Sequence, residues 1–106
     1  MSTQQTIQIP VGKLSSQMCA VLRIVTTDVE LSDAVFGFVD IHNDSVDWDP
    51  IFALELNTGH RAAMQFAYAV WTDRLKPGCN PFEDALNMTP DLKRACLKAI
   101  GMRWNL

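Results

Sequence analysis

The fold is decided by residues 59–75, which read GHRAAMQFAYAVWTDRL. At about 100° per residue, a helix built from this stretch has two apolar stripes instead of one. The first stripe consists of Gly59, Ala63, Phe66, Ala67 and Val70. The second stripe consists of Met64, Tyr68, Trp71 and Leu75. A helix that is apolar on two sides must be covered on two sides, which predicts an all-α protein with this helix at its centre.

Three small residues in the first stripe have a further consequence. Gly59, Ala63 and Ala67 lie four positions apart, so the backbone of another helix can approach them closely and gain van der Waals contact. That other helix belongs to the same chain, to a second copy or to a partner protein. The sequence leaves these three alternatives open, and a helix-mediated dimer is one of them.

The central helix is predicted to be long. Asp49 followed by Pro50 indicates an N-cap and a first helical residue, and Pro77-Gly78 indicates the end. The apolar face stays in phase across Gly59, which favours one helix over residues 50–76, about 39 Å long. The alternative is a short helix over 50–56 followed by a second helix capped by Thr58.

The N-terminal half begins with a short extended arm over residues 1–12, in which apolar and polar residues alternate over residues 7–11. Residues 13–28 have the apolar periodicity of a helix, with Ser15 or Ser16 as its cap. Residues 32–43 predict a second helix capped by Ser32, although a strand over residues 34–41 fits as well.

The C-terminal half contains two further start signals, Asn80-Pro81 and Thr89-Pro90. The first predicts a short helix to residue 88, and the second predicts a helix that ends at Gly101. We therefore expect a single domain over residues 1–106, with a helical body over 13–106 that contains four to five helices.

The composition disfavours several classes of function. The net charge of −3 argues against binding to a phosphate backbone, which needs a basic face. No run approaches the roughly 18 apolar residues that a membrane span requires. The start, MSTQQT, lacks the basic and apolar regions of a secretory signal, and the three cysteines have neither disulfide nor zinc spacing. These features predict a cytoplasmic protein with free thiols.

No catalytic or metal-binding motif is present. We interpret His42 and His60 as structural or surface residues, because neither has a partner that would make it a general base. Four aspartates surround the loop at residues 40–49, but their spacing fails the pattern of a calcium loop. We therefore expect no enzymatic activity, no metal and no cofactor.

Three functions stay open. The preferred hypothesis is a small non-enzymatic regulator, a homodimer that binds and inhibits a protein partner as anti-activators do, with a transcription regulator as one candidate target. The second is a small-molecule-binding or catalytic helical domain with a pocket near Trp71 and His60. The third is a DNA-binding module over residues 81–103. The surface predicted for the partner or the second copy consists of Phe36, Gly59, Ala63, Met64, Ala67, Tyr68, Trp71 and Leu75.

Overall fold

A computed structural model describes residues 14–106 and confirms that the protein is mostly helical, with 67% helix and 4% strand. The predicted arm over residues 1–12 lies outside the described residues. The α-helices are α1 Ser16–Val25, α2 Val29–Val35, α3 Trp48–Ala53, α4 Thr58–Thr72, α5 Pro81–Leu86 and α6 Pro90–Trp104. A 3-10 turn spans Phe36–Phe38, and two short strands, β1 Val39–Asp40 and β2 Ser45–Val46, pair antiparallel.

Local capping signals in the sequence are confirmed at three helix starts. The Ser15 hydroxyl accepts a hydrogen bond from the Met18 backbone N–H, and α1 follows. Asn80 caps α5 and Thr89 caps α6, each through a side-chain oxygen that accepts from a backbone N–H of the first turn. Each cap satisfies a donor that the helix itself leaves free.

The predicted helix over residues 50–76 is wrong, because residues 54–57 divide it into α3 and α4. The Asn57 side-chain oxygen accepts from the His60 backbone N–H at 2.7 Å and so caps α4 in place of Thr58. The Arg61 guanidinium donates to the Leu54 carbonyl at 2.9 Å, which satisfies an acceptor just after α3. A side chain of one helix thus stabilises the end of the helix before it.

Both outer ends of this region also differ from the prediction. Asp47 precedes α3 as its N-cap, so Pro50 is the third residue of the helix and not the first. Helix α4 stops at Thr72, well before Pro77, because Asp73 adopts the left-handed conformation with φ 62°. The Arg103 guanidinium holds Asp73 in place through a 2.7 Å ion pair.

The helix predicted over residues 32–43 is wrong in both its start and its end. Helix α2 begins at Val29, because the Asp28 carboxylate accepts from the Leu31 backbone N–H. It ends at Val35, and the chain then enters the 3-10 turn and β1. The strand alternative for residues 34–41 is therefore correct only for the two residues of β1.

Helices α1, α4 and α6 enclose one core, and α5 packs on α4. The Gln17 side chain donates to the Trp71 carbonyl, and Asp28 contacts His60, so α1 runs antiparallel to α4. Helix α6 runs parallel to α4 and continues through Gly101, the predicted end, as far as Trp104. The largest fully buried side chains are Met18, Ile24, Leu31, Ile51, Met64, Leu92, Val21, Val25 and Val35.

Candidate functional site

The first apolar stripe of α4 is covered within a single chain. Ala63 and Ala67 are fully buried, and so is Met64 from the second stripe. A Cβ atom on Gly59 would lie 2.7 Å from the backbone oxygen of Asn87, which shows how closely the junction between α5 and α6 approaches. These three buried side chains therefore cannot contact a partner in the folded protein. Helices α1, α5 and α6 of the same chain pack around α4, which is the first of the three alternatives that the sequence left open.

Tyr68 and Trp71 belong to an aromatic cluster that they form with Trp48 and Phe52 of α3. The Trp48 ring meets Tyr68 edge-on, with ring centroids 5.4 Å apart, and meets Trp71 at 6.3 Å and 64°. Phe52 stacks on Trp48 at 6.0 Å. All four side chains are half-buried. The second stripe of α4 is thus covered in part by α3, which the prediction of one continuous helix had excluded.

Phe36 and Leu75 are the remaining predicted surface residues, and both are exposed. Phe36 lies in the 3-10 turn, whereas Leu75 lies in the segment that follows α4. The eight residues predicted from the sequence therefore do not form one continuous face. Only Leu75 borders the apolar surface described next.

The most apolar concave surface is a groove of about 420 Å³ between α4, α5 and α6. We call it the apolar groove, and its lining consists of Phe66, Pro81, Phe82, Ala85, Met88, Lys93, Cys96, Leu97 and Ile100. A second hollow shares Phe66, Pro81 and Ile100 with it and extends to Leu75 and Trp104. The two hollows are therefore neighbours, because these three residues line both.

Two large apolar side chains that line the apolar groove have little cover. Phe82 on α5 is 84% exposed and Leu97 on α6 is 70% exposed. Leu86 on α5 and Trp104 at the end of α6 are also exposed, and Trp104 lines the second hollow. Single exposed apolar residues are common on protein surfaces, but exposed apolar residues that line a groove are typical of an interaction site.

The two helices that border the groove carry opposite charges. Helix α5 contains Glu83 and Asp84, and burial raises the pKa of the Asp84 carboxyl, with a further contribution from Glu83. Helix α6 contains Lys93, which lines the groove, and also Lys98. Lys93 lines the groove itself, whereas Glu83 and Asp84 lie in the sequence between the lining residues Phe82 and Ala85.

Cys96 lies in the wall of the groove and is not a nucleophile. Its thiol contacts the Met88 sulfur at 3.7 Å, and burial raises the pKa of the Cys96 thiol to about 12. A thiol must ionise to attack, so this cysteine is inert near neutral pH. His60, which we considered as a general base, contacts Asn57 and Asp28 and not Cys96.

His60 is a buried structural residue. The Asn57 oxygen accepts from the His60 backbone, so the Asn57 NH2 group faces Nδ1 of the ring at 3.2 Å. An NH2 group only donates, hence Nδ1 accepts and the proton of the neutral ring is on Nε2, 3.2 Å from an Asp28 carboxylate oxygen.

This tautomer bears on metal binding. Asp28, Glu30 and His60 bring three ligand atoms within 4.8 Å of one another, the one such group among residues 14–106. A metal on His60 Nε2 would need the proton moved to Nδ1, where it would face the Asn57 NH2 group. The group is therefore better described as a hydrogen-bond network that joins α2 to α4.

The groove residues missed by the sequence analysis had a weak signal. The apolar side of α6 consists of Leu92, Cys96 and Ile100. A helical projection places Leu97 outside it, on the polar side of the helix. Phe82 and Leu86 are four positions apart and share one side of α5. Neither pattern says whether another element covers these residues.

Comparison of the chain with protein-family models, with curated protein sequences and with solved structures finds no match. Among residues 14–106, no helix combines the length and the apolarity that crossing a lipid bilayer requires.

Proposed function

We propose that the protein is a non-enzymatic regulator that binds and inhibits a protein partner through the apolar groove. The observation that carries the proposal is the group of exposed apolar side chains on α5 and α6, led by Phe82 and Leu97. Anti-activators act in this way, and a transcription regulator is one candidate target. A cytoplasmic location, inferred from the sequence, belongs to the same proposal.

This proposal moves the contact surface away from the one first predicted. Residues 59–75 have two apolar stripes, and most of that surface is covered within the chain. The exposed apolar surface lies instead on the next two helices. Leu75 lies beside the new surface, because it lines the second hollow together with Trp104.

The energetic argument for binding is the area that a partner would cover. Burying one large apolar side chain contributes about 1.5–3 kcal/mol. Phe82 and Leu97, which line the groove, together would supply several kcal/mol, against the cost of association and of ordering the interface. Aromatic residues such as Trp104 are also the type most often found at binding hot spots.

The groove fits an amphipathic helix better than other occupants. It lies between helices, where a further helix can pack its apolar side with residues spaced three and four apart. The acidic α5 and the basic α6 favour a partner helix with basic residues on one flank and acidic residues on the other. A bound helix would prevent any other ligand from entering the groove. The partner protein could then no longer use that helix for its own assembly, which is how binding would inhibit it.

A photo-crosslinking amino acid at position 97 tests the proposal in the source cells. The matched control has the same amino acid at position 29, because Val29 is an exposed apolar residue of α2, away from the groove. We expect an adduct with one protein from position 97 and none from position 29. The purified adduct partner should then bind the wild-type protein and lose activity on binding.

Two variants complete the test. Leu97→Asp should weaken binding to the purified partner by about tenfold or more, because it removes an apolar contact and buries a charge. Val29→Asp should bind as the wild type does. Equal binding by both variants would refute a role for the groove.

A second copy of the chain is the alternative occupant, and the homodimer expected from the sequence remains a proposal. The opposite charges of α5 and α6 make the groove self-complementary about a twofold axis. Light scattering on the wild type and on Leu97→Asp tests this separately. An adduct from position 97 that contains only a second copy would overturn the partner-binding role of this groove.

The other two functions lack a supporting observation. A pocket near both Trp71 and His60 is not favoured, because these residues lie at opposite ends of α4. DNA binding over residues 81–103 is disfavoured by Glu83 and Asp84 on α5 and by Asp91, which pairs with Arg94 at 2.7 Å on the first turn of α6.

A further inference from the structure

We propose that the aromatic cluster forms a second binding site, which takes an organic cation of the alkylammonium class. The site is a hollow of about 530 Å³ beside α3 and the end of α4. Its wall consists of Trp48, Tyr68 and Trp71, and its rim consists of Asp44, Asp47 and Asp49. It lies apart from the apolar groove and shares no lining residue with it.

Three aromatic rings line the hollow. The Trp48 ring is nearly perpendicular to Tyr68, at 86°, and is inclined by 64° to Trp71. The face of an aromatic ring is the negative pole of its quadrupole and attracts a cation within about 6 Å of the ring centre.

The cluster already holds one alkylammonium group of its own. The Lys76 amine lies 4.9 Å from the centre of the Phe52 ring, and Phe52 packs against both Trp48 and Tyr68. Lys76 is not among the residues that line the hollow. The hollow therefore lies on a part of the aromatic cluster that Lys76 does not line, where a second cation could bind.

The rim supplies the negative charge that would attract such a cation. Asp47 precedes α3, yet its carboxylate makes no capping hydrogen bond, so its oxygens are not used by the helix. Asp44 accepts a hydrogen bond from the Ser15 hydroxyl at 2.7 Å. No lysine, arginine or histidine lines the hollow in the part of the chain that the structure describes.

An inorganic cation does not suit this rim. Calcium and magnesium need several oxygen atoms that converge on one point. The carboxylates of Asp44, Asp47 and Asp49 do not form a three-ligand group within 4.8 Å, whereas Asp28, Glu30 and His60 do. Dispersed carboxylates around aromatic faces instead fit a cation whose charge is spread over methyl groups, such as a quaternary ammonium.

Tryptophan fluorescence tests the proposal. The chain has three tryptophans, and Trp104→Phe leaves emission only from Trp48 and Trp71, both in the wall of the hollow. We expect choline to change this emission in a saturable way, relative to sodium chloride at equal ionic strength. The uncharged isostere 3,3-dimethylbutan-1-ol should bind at least about tenfold more weakly, because it lacks the charge.

Two variants in the same background assign the effect to the hollow. Asp47→Asn should raise the dissociation constant for choline about twofold to fivefold, the range of an exposed charge partner, because it removes the charge and keeps the size of the side chain. Asp33→Asn, an exposed aspartate of α2 away from the hollow, is the control and should leave the constant unchanged. Trp71→Leu should abolish the response, and far-ultraviolet circular dichroism checks that it folds.

The source of the cation is distinguished by a peptide that bears trimethyllysine. Tighter binding of the peptide than of choline would identify a modified protein as the source, and the reverse would identify a free metabolite. Absence of a saturable response to both, or equal binding of the uncharged isostere, would overturn the proposal. So would an Asp47→Asn variant that binds like the wild type.

Discussion

Gly59→Ala is the sharpest test of the packing between α4 and the junction of α5 and α6. Helix propensity alone predicts that alanine at this position stabilises the protein, since glycine disfavours a helix by about 1 kcal/mol. The structure predicts the opposite result. A Cβ atom at position 59 would lie 2.7 Å from the Asn87 backbone oxygen, closer than real Cβ contacts allow.

The size of the effect follows from this contact. An ordinary contact begins at 3.4 Å, so the carbonyl group would have to move by 3.4 − 2.7 = 0.7 Å. Asn87 is the C-cap of α5, and the next residue, Met88, is buried, so the movement disturbs a packed region. Overpacking of this kind costs about 1–3 kcal/mol, and we expect a decrease of about 4–14 °C in the melting temperature.

Gly101→Ala is the matched control, because the chemical change is the same. Gly101 lies inside α6, and a Cβ atom there would have no neighbour within 4 Å. We expect this variant to be more stable than the wild type by about 0.5–1 kcal/mol. Thermal unfolding of the three proteins, followed by circular dichroism, measures both effects. A Gly59→Ala variant at least as stable as the wild type would refute the close approach at Asn87.

Two further predictions concern ionisable groups. The hydrogen bond from the Leu31 backbone N–H, together with the interactions with His60, lowers the pKa of Asp28 below its usual 3.8. The ionised carboxylate therefore stabilises the fold fully above pH 3.8, and this stabilisation is lost as the pH falls through the lowered pKa. The advantage of the wild type over Asp28→Asn in urea unfolding should therefore shrink from about pH 5 to about pH 3, and a constant difference would contradict this. Because burial raises the pKa of the Cys96 thiol to about 12, iodoacetamide should leave Cys96 unmodified in the native protein at pH 8 and alkylate it after unfolding. Mass spectrometry of the digested protein measures this, and rapid native alkylation of Cys96 would show that α6 is not packed as described.

Features that depend on neighbouring residues were predictable from the sequence. The caps at Asn80 and Thr89 are local, because a side chain bonds to a backbone group two or three residues away and a proline follows. The helical class was also predictable, since the apolar periodicity of α1, α4 and α6 reflects one shared core.

Helix ends that depend on distant residues were not predictable. Arg61 stabilises the break after α3 from the following helix, and Arg103 holds Asp73 from a position 30 residues further along the chain. The apolar face of residues 50–76 stays in phase across this break, so periodicity contained no sign of it. A side chain that satisfies a helix end from elsewhere in the fold leaves no local pattern.

The sequence allowed us to predict that apolar helix surface would be available for contacts, but not which residues would remain exposed. The small residues beginning at Gly59 did indicate a close backbone approach, but periodicity does not say whether the approaching chain is the same one. The apolar groove exists because α5 spans only six residues, about 9 Å, and cannot cover the 15-residue helices α4 and α6. That outcome depends on the length of one helix relative to its neighbours.

The network around His60 also supplies a spectroscopic reporter. Because Asn57 keeps the lone pair on Nδ1, the one exchangeable ring proton of the neutral imidazole is on Nε2, next to Asp28 and largely shielded from solvent. A proton in this position is expected to exchange slowly enough for a separate downfield NMR resonance. With His42 exposed, that single line would follow the opening of α2 from α4 without any isotope label or added probe.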